Sequence, residues 1–102
     1  MKCVKIHPIT LLEDCTIEKD AVARWEISES YSVTTLVAMK TLHLDHSKVN
    51  VNGGCVSLGH PFAATGGRLP VHLIHSLKQG ELGVVALSNG GGEAIAMLIE
   101  KL

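Results

Sequence analysis

The sequence contains few aromatic residues, no long apolar run and no block of like charges. Trp25, Tyr31 and Phe62 make up its 3% of aromatics, so the 46% of hydrophobic residues are mainly small and aliphatic. Nine Lys and Arg against ten Asp and Glu give a net charge of -1, which argues against a nucleic-acid partner. No apolar stretch reaches the roughly 18 residues of a membrane-spanning helix, so we expect no membrane association.

Cysteine is also scarce. The three cysteines are odd in number and form no Cys-x-x-Cys pair: Cys3, Cys15 and Cys55. This pattern indicates free thiols in a reducing compartment and predicts neither a disulfide framework nor a thiolate zinc site. Two histidine pairs are spaced by three residues, but no cysteine or carboxylate completes a ligand set around His43 and His46 or around His72 and His75. We therefore predict no metal site.

The N-terminal residues also lack the features of a signal peptide. MKCVKIHPITLLEDC has neither a long apolar core nor a small-residue cleavage site. We expect a soluble intracellular protein, mitochondrial or cytosolic. Ten glycines and mainly aliphatic apolar residues in 102 positions favour a single layered α/β domain.

The first half of the chain predicts a strand followed by a helix. Residues 24–28 alternate apolar and polar side chains, which is the period of a half-buried strand. Ser28 or Ser30 is expected to cap a helix whose apolar positions, at spacings of three and four, span residues 33–42. The helix should end before Leu44. For residues 1–16, only a short strand around Val4 is predicted.

The second half predicts a helix and a hairpin, after a short extended segment that enters a turn at Gly53. Gly59-His60-Pro61 has the form of a helix start and Gly80 that of a helix stop. Pro70 conflicts with this pattern because it removes a backbone hydrogen bond inside the helix. The apolar runs at 82–87 and 94–99 predict two buried strands joined by a glycine-rich turn.

Three polar segments lie at predicted element ends, where the groups of an α/β fold can converge on one crevice: Ser28–Tyr31, Gly59–Pro61 and Ser88–Gly92. His60 is a candidate base or oxyanion donor, because a helix N-terminus favours the neutral imidazole. The alternatives are that His60 is a capping or surface residue and that the glycines form only a tight turn. An unrelated anion- or nucleotide-binding module is disfavoured, because no phosphate-loop or dinucleotide motif is present.

The combination of these segments resembles the C-terminal domain of thiolases. The block VNVNGGCVSLGHP at residues 49–61 is followed by ATGGR at 64–68 and SNGGG at 88–92. Within the family the likeness is to thiolases of the acetyl-CoA C-acetyltransferase type, and it covers residues 17–102, interpreted as a partial C-terminal domain. Residues 1–16 are interpreted as a divergent lead-in.

The resemblance implies an α/β half-domain with a layered mixed sheet, helices and a final β-hairpin. It also implies coenzyme A thioesters as substrates, no covalently bound cofactor, and a second half that carries the nucleophilic cysteine. His60 then activates that cysteine, and Ser88 stands where the family has its acid/base cysteine. The other implied oxyanion or structural positions are Ser28, Glu29, Gly59, Asn89, Gly90 and Gly91.

Two of these positions depart from the family pattern. A serine hydroxyl is a far weaker acid than a thiol of pKa about 8.5, so Ser88 is expected to abolish or slow carbanion chemistry. Ser28 replaces the asparagine of the family motif and is too short to hold the water of the oxyanion site, a loss of about 2.7–4 kcal/mol. We also expect Pro70 to disturb the support of His60.

Two hypotheses for function follow, and the sequence leaves open whether the chain is an enzyme. The first is a thiolase-type acyltransferase domain, impaired or inactive alone, with thiolase subunits or a second copy of itself as partners. The second is a non-catalytic thiolase-derived fragment, either a binding or assembly partner or a degenerate gene product. In both cases we expect an uncovered apolar face and an open sheet edge.

Overall fold

A four-stranded mixed sheet forms the centre of the computed structural model, which describes residues 3–5 and 8–102. The strands are β1 (Cys3–Lys5), β2 (Val22–Ile27), β3 (Leu82–Ser88) and β4 (Ala94–Glu100), in the order β1-β4-β3-β2. β2 runs parallel to β3, whereas β4 is antiparallel to both β3 and β1. The predicted α/β class, with its mixed sheet and final hairpin, is confirmed.

Helices cover both faces of this sheet. α1 (Pro8–Cys15) and α2 (Ser32–Leu42) pack on one face, and α4 (Thr65–Ser76) packs on the other, preceded by the short α3 (Cys55–Leu58). The result is a three-layer α-β-α arrangement. None of the helices in the described residues is long and apolar enough to cross a membrane.

Two hydrophobic cores result because neighbouring strand residues point to opposite faces. Val84 and Val85 are both fully buried, one in each core. The core under α1 and α2 contains Leu11, Leu12, Val22, Trp25, Ile27, Val49, Val84, Ala96 and Leu98. The core under α4 contains Leu69, Leu73, Leu77, Val85 and Ile99. A side chain at Gly83 would place a Cβ 2.7 Å from Leu73, so the glycine lets α4 lie close to β3.

The N-terminal segment contains more structure than its sequence pattern predicts. Only a short strand was expected within residues 1–16, and β1 is that strand, paired with β4. α1 was missed, although Pro8 occupies its first position, where a missing N–H costs nothing. Leu11 and Leu12 of α1 are buried in a core, so the segment interpreted as a lead-in is packed onto the domain.

α2 ends where predicted, but its start and its buried face differ from expectation. Tyr31 precedes the helix without a side-chain cap, so neither Ser28 nor Ser30 caps it. The apolar residues that pack against the core are Ala38, Met39 and Leu42. Val33, Leu36 and Val37 are exposed instead. The described chain therefore has an apolar surface on this helix.

The second predicted helix also has different ends. Pro61 precedes a single 3₁₀ turn at Phe62–Ala64, and α4 begins only at Thr65 and ends at Ser76. Gly80 lies beyond the helix in a turn with φ of 81°. α4 continues through Pro70, its sixth residue, although this proline conflicts with the helical pattern.

Candidate functional site

The most motif-rich segment, residues 50–60, is fastened to the end of β2 by Asn50. The Asn50 side chain accepts a hydrogen bond from Ile27 N at 2.8 Å and donates one to Ile27 O at 2.9 Å. Its own backbone N–H donates to Trp25 O. The amide side chain thus extends the hydrogen bonding of the sheet to this loop.

The Glu29 carboxylate, two residues beyond the end of β2, also binds this loop. Its Oε1 accepts from Asn50 Nδ2 at 3.0 Å, and its Oε2 accepts from Val56 N at 2.7 Å. A Cβ on Gly54 would lie 2.7 Å from the carboxylate, so a glycine is needed for this approach. Glu29, predicted as an oxyanion or structural residue, has this structural contact. The prediction for Glu29 came from the Ser28–Tyr31 segment and the family motif that it resembles.

Gly59 directs the chain from α3 to His60. Its φ of 94° lies in the region that favours glycine, and its N–H donates to Cys55 O, which closes α3. A Cβ at Gly59 would meet no atom within 4 Å, so the requirement is conformational rather than steric. Gly59 therefore supports the turn that presents His60.

His60 is exposed, and its Nδ1 contacts two neighbouring side chains. Nδ1 lies 2.8 Å from Thr65 Oγ1 and 3.6 Å from Cys55 Sγ. The ring also packs against Phe62, with centroids 4.9 Å apart. Thr65 is the first residue of α4, five positions before Pro70, so the expected disturbance of His60 by this proline does not reach its contact.

Two groups of polar contacts lie near Cys55. Arg68 Nη2, on a half-buried side chain, donates to Cys55 Sγ at 3.3 Å. His72, also half-buried, contacts the buried Glu26 Oε1 through Nδ1 at 2.9 Å and the exposed Asn52 Nδ2 through Nε2 at 3.1 Å. Burial raises the pKa of the Glu26 carboxyl, and the neighbouring His72 and Arg68 oppose that rise. Sequence reasoning assigned no role to these residues, because their spacing along the chain matches no motif.

Ser28 and Ser88 both line a separate cavity. They follow β2 and end β3, two parallel neighbours, and Ser28 N donates to Ala86 O at 2.8 Å. The cavity has a volume of about 130 Å³, and its wall also includes Pro8 of α1. The structure therefore brings together the two positions that depart from the family pattern. His60 is not among the residues that line the cavity.

The glycine-rich tip of the hairpin is closed mainly by Asn89. The Asn89 side chain accepts from Gly91 N at 2.9 Å and from Glu93 N at 3.1 Å, and it donates to Glu93 Oε2 at 2.6 Å. The Gly91 N–H is thus engaged within the turn in this conformation. Gly90 is exposed, and a Cβ there would meet no atom within 4 Å.

Over residues 8–102, no cluster of three or more His, Cys, Asp and Glu side chains that could hold a metal ion is found. The site instead offers an exposed imidazole with one nitrogen fixed, and a small pocket lined by three hydroxyl-bearing residues, Ser28, Thr34 and Ser88. An imidazole held through one nitrogen presents the other for proton transfer.

Comparison with known proteins gives consistent results. The sequence model described as "Thiolase, C-terminal domain" matches residues 4–101, which include most of the segment interpreted as a lead-in. Mitochondrial acetyl-CoA acetyltransferase of Bos taurus is 51% identical over 92 residues, which are 90% of this chain and 22% of that protein. The chain thus spans about a fifth of the length of the curated relatives it matches.

Solved structures agree in fold. The Acat5 thiolase from Ascaris suum, in complex with coenzyme A, superposes with a TM-score of 0.90 at 52% identity, over 92% of this chain and 25% of that chain. The peroxisomal 3-ketoacyl-CoA thiolase of Saccharomyces cerevisiae gives 0.86 at 32% identity, over 89% of this chain and 26% of that chain. It is described as a five-layered α-β-α-β-α structure built from two core domains of identical topology, and as dimeric.

Proposed function

Because the chain belongs to the thiolase family through its C-terminal domain, we propose that it is the histidine-bearing part of a site that transfers acyl groups to or from coenzyme A. The observation that carries this proposal is the contact of His60 Nδ1 with Thr65 Oγ1 at 2.8 Å. It fixes the imidazole on an exposed turn, inside the block that resembles the family most specifically.

In this role His60 acts as a base through Nε2. Nδ1 then carries the proton and donates to the Thr65 hydroxyl oxygen, which leaves the lone pair of Nε2 pointing away from the contact. The group it deprotonates is the thiol that receives the acyl group, supplied by a second core domain. A positioned base of this kind contributes about 10²–10⁴-fold to the rate.

Ser28 and Ser88 limit what the domain does in this reaction. The removal of an α-proton from an acyl thioester needs a base stronger than a neutral serine hydroxyl. Ser28 and Ser88, which line the 130 Å³ cavity together with Thr34, supply no such base. We therefore propose that the chain lacks efficient carbon–carbon bond formation and cleavage and has no activity alone.

The partner we propose is a second thiolase-type core domain. Two three-layer domains give five layers, as in the yeast thiolase, only if they share a helical layer. The α4 face is suited to this, because Val71, Ile74 and Phe62 are exposed on or next to it and His60 lies at the same side. The proposed contact covers this apolar surface and places His60 at the boundary between the domains.

A thiolysis assay tests the catalytic part. The purified chain, mixed with the N-terminal core domain of an acetyl-CoA acetyltransferase, is given acetoacetyl-CoA and coenzyme A. We expect negligible turnover for the wild type and measurable turnover for Ser28→Asn with Ser88→Cys, lost again when His60→Ala is added. Ser57→Cys, on α3, is the control for an added thiol elsewhere. A complex that forms but stays inactive with the double variant contradicts the proposal.

The partner surface has a matched control within the chain. Val71 on α4 and Val37 on α2 are 57% and 56% exposed. Val71→Glu is expected to weaken association with the second core domain by at least about tenfold, because it places a charge in an apolar contact. Val37→Glu should have little effect. Equal weakening by both variants, measured by analytical ultracentrifugation, would move the contact away from α4.

The second hypothesis, a non-catalytic assembly partner, is favoured by the two serines. It predicts that the wild-type chain binds the second core domain while the Ser28→Asn and Ser88→Cys variant gains no turnover. The two hypotheses therefore share the binding result and differ in the rescue.

A further inference from the structure

Cys55 has no role in the acyl-transfer proposal, although it shares the neighbouring His60 with it. Its sulfur contacts two side chains from other segments, His60 Nδ1 at 3.6 Å and Arg68 Nη2 at 3.3 Å. A cysteine with an adjacent base and an adjacent cation has the arrangement of an activated nucleophile. We propose that Cys55 is a modification site that reacts with small hydroperoxides and is oxidised to a sulfenic acid.

Arg68 supplies the electrostatic part of this site. Its guanidinium keeps its charge at all working pH values, and its N–H group on the sulfur stabilises negative charge that develops there. Arg68 Nε is buried and has no hydrogen-bond partner among the described residues. This N–H belongs to the same guanidinium that contacts Cys55 through Nη2, so in the proposed site it is an unused donor for an oxygen added to the sulfur.

The burial of Cys55 restricts the oxidant to a small molecule. Cys55 is 7% exposed, so its sulfur is closed to a bulky thioester but lies just beneath the exposed His60. A hydroperoxide as small as hydrogen peroxide is close to water in size and carries no charge, so moving it out of water costs far less than moving an ion.

The reaction balances within this cluster. For this reaction His60 takes the other tautomer from the one proposed for acyl transfer, with its proton on Nε2, and accepts the thiol proton at Nδ1. The sulfur attacks one peroxide oxygen, the S–O bond forms and the O–O bond breaks. The leaving hydroxide takes the proton from His60 Nδ1 and becomes water. Sulfur is oxidised by two electrons and the peroxide is reduced, so no other reactant is needed.

The inference is tested on the whole chain with hydrogen peroxide and a 1,3-dicarbonyl probe that labels sulfenic acids, followed by peptide mass spectrometry. Cys15, half-buried on α1, is the internal comparison. We expect initial labelling of Cys55 to be at least about tenfold faster than that of Cys15, and Arg68→Gln to slow it about tenfold, the equivalent of one charge-assisted hydrogen bond.

Two further variants separate chemistry from folding. Arg68→Lys should restore part of the rate, because it keeps the charge. Arg24→Gln, a half-buried arginine on β2 outside the cluster, should leave the rate unchanged. The proposal is overturned if Cys15 reacts as fast as Cys55, or if Arg68→Gln keeps both the wild-type circular dichroism spectrum and the wild-type labelling rate. Neither result depends on acyl transfer.

Discussion

The loop of residues 50–60 and the hairpin tip of residues 88–93 are both glycine-rich and both belong to the thiolase-like pattern, but they are held in different ways. The loop is bonded to the end of β2 through Asn50 and Glu29. The tip is bonded mainly to itself, through Asn89 and Glu93. The supported loop carries His60, the base of the proposed site, whereas the self-contained tip follows Ser88, where the resemblance implies a cysteine. The segment that is bonded to the sheet is therefore the one that carries the proposed base.

The largest expected effect comes from the two asparagines that organise these segments. Asn50→Ala leaves the N–H and C=O of Ile27 without their partners, so we expect a loss of about 2–4 kcal/mol in the free energy of unfolding. Asn89→Ala acts on an exposed turn and should cost about 0.5 kcal/mol. Urea unfolding measures both. Similar losses for the two variants would mean that the tip is as strongly supported as the loop.

The next largest difference in stability is expected between alanine substitutions at Gly54 in the loop and at Gly90 in the tip. Gly54→Ala places a Cβ 2.7 Å from the Glu29 carboxylate without a positive φ, so the carboxylate must move. We expect a loss of about 1–3 kcal/mol from this overpacking. Gly90→Ala meets open space and should change stability by no more than about 0.5 kcal/mol. Thermal unfolding of the two variants measures both effects. If Gly54→Ala leaves the stability unchanged, the Glu29 carboxylate is not held in one position.

The smallest expected effect on stability concerns Glu26, whose carboxylate is buried. Burial raises the pKa of Glu26 above its ordinary value of 4.5, against the opposing charges of His72 and Arg68. The folded state therefore binds this proton more tightly than the unfolded state. The resulting stabilisation is complete below pH 4.5 and is lost as the pH rises through the folded-state pKa.

We expect the wild type to lose stability relative to Glu26→Gln as the pH rises above that range. Urea unfolding across a pH series measures the difference between the two proteins. Glu93→Gln, at the exposed tip, reports how much of the trend follows from removing any carboxylate. A gap between wild type and Glu26→Gln that widens in the opposite direction would show that the ion pairs outweigh burial.

Where local pattern and tertiary packing agree, the sequence was sufficient. The continuous apolar runs and the glycine turn predicted the β3–β4 hairpin, and alternation predicted β2. The pattern failed where packing decides. α1 has weak periodicity, and only its contact with the sheet shows that Leu11 and Leu12 are buried. Val33, Leu36 and Val37 lie at helical spacing, yet they are exposed because the core contacts only the other side of α2.

The candidate site likewise has residues that the sequence predicted and contacts that only the fold shows. The motif block identified His60, Ser88 and the glycines around them. The neighbours of His60 came only from the fold, since Cys55 and Thr65 lie five residues away on opposite sides of it and meet at one ring nitrogen. The predicted oxyanion role of the tip stays a prediction, with Gly91 N engaged by Asn89.

By itself, the sequence determined the family, the mixed α/β class and the histidine that the site presents, because these depend on short segments of fixed residue order. Only the tertiary structure decided which polar groups meet. Glu26 on β2 and His72 on α4 are 46 positions apart in sequence and are in contact because α4 packs on β2, and Arg68 on α4 reaches Cys55 on α3. It also decided which apolar residues stay uncovered, since burial depends on the neighbouring layer rather than on the spacing along one helix.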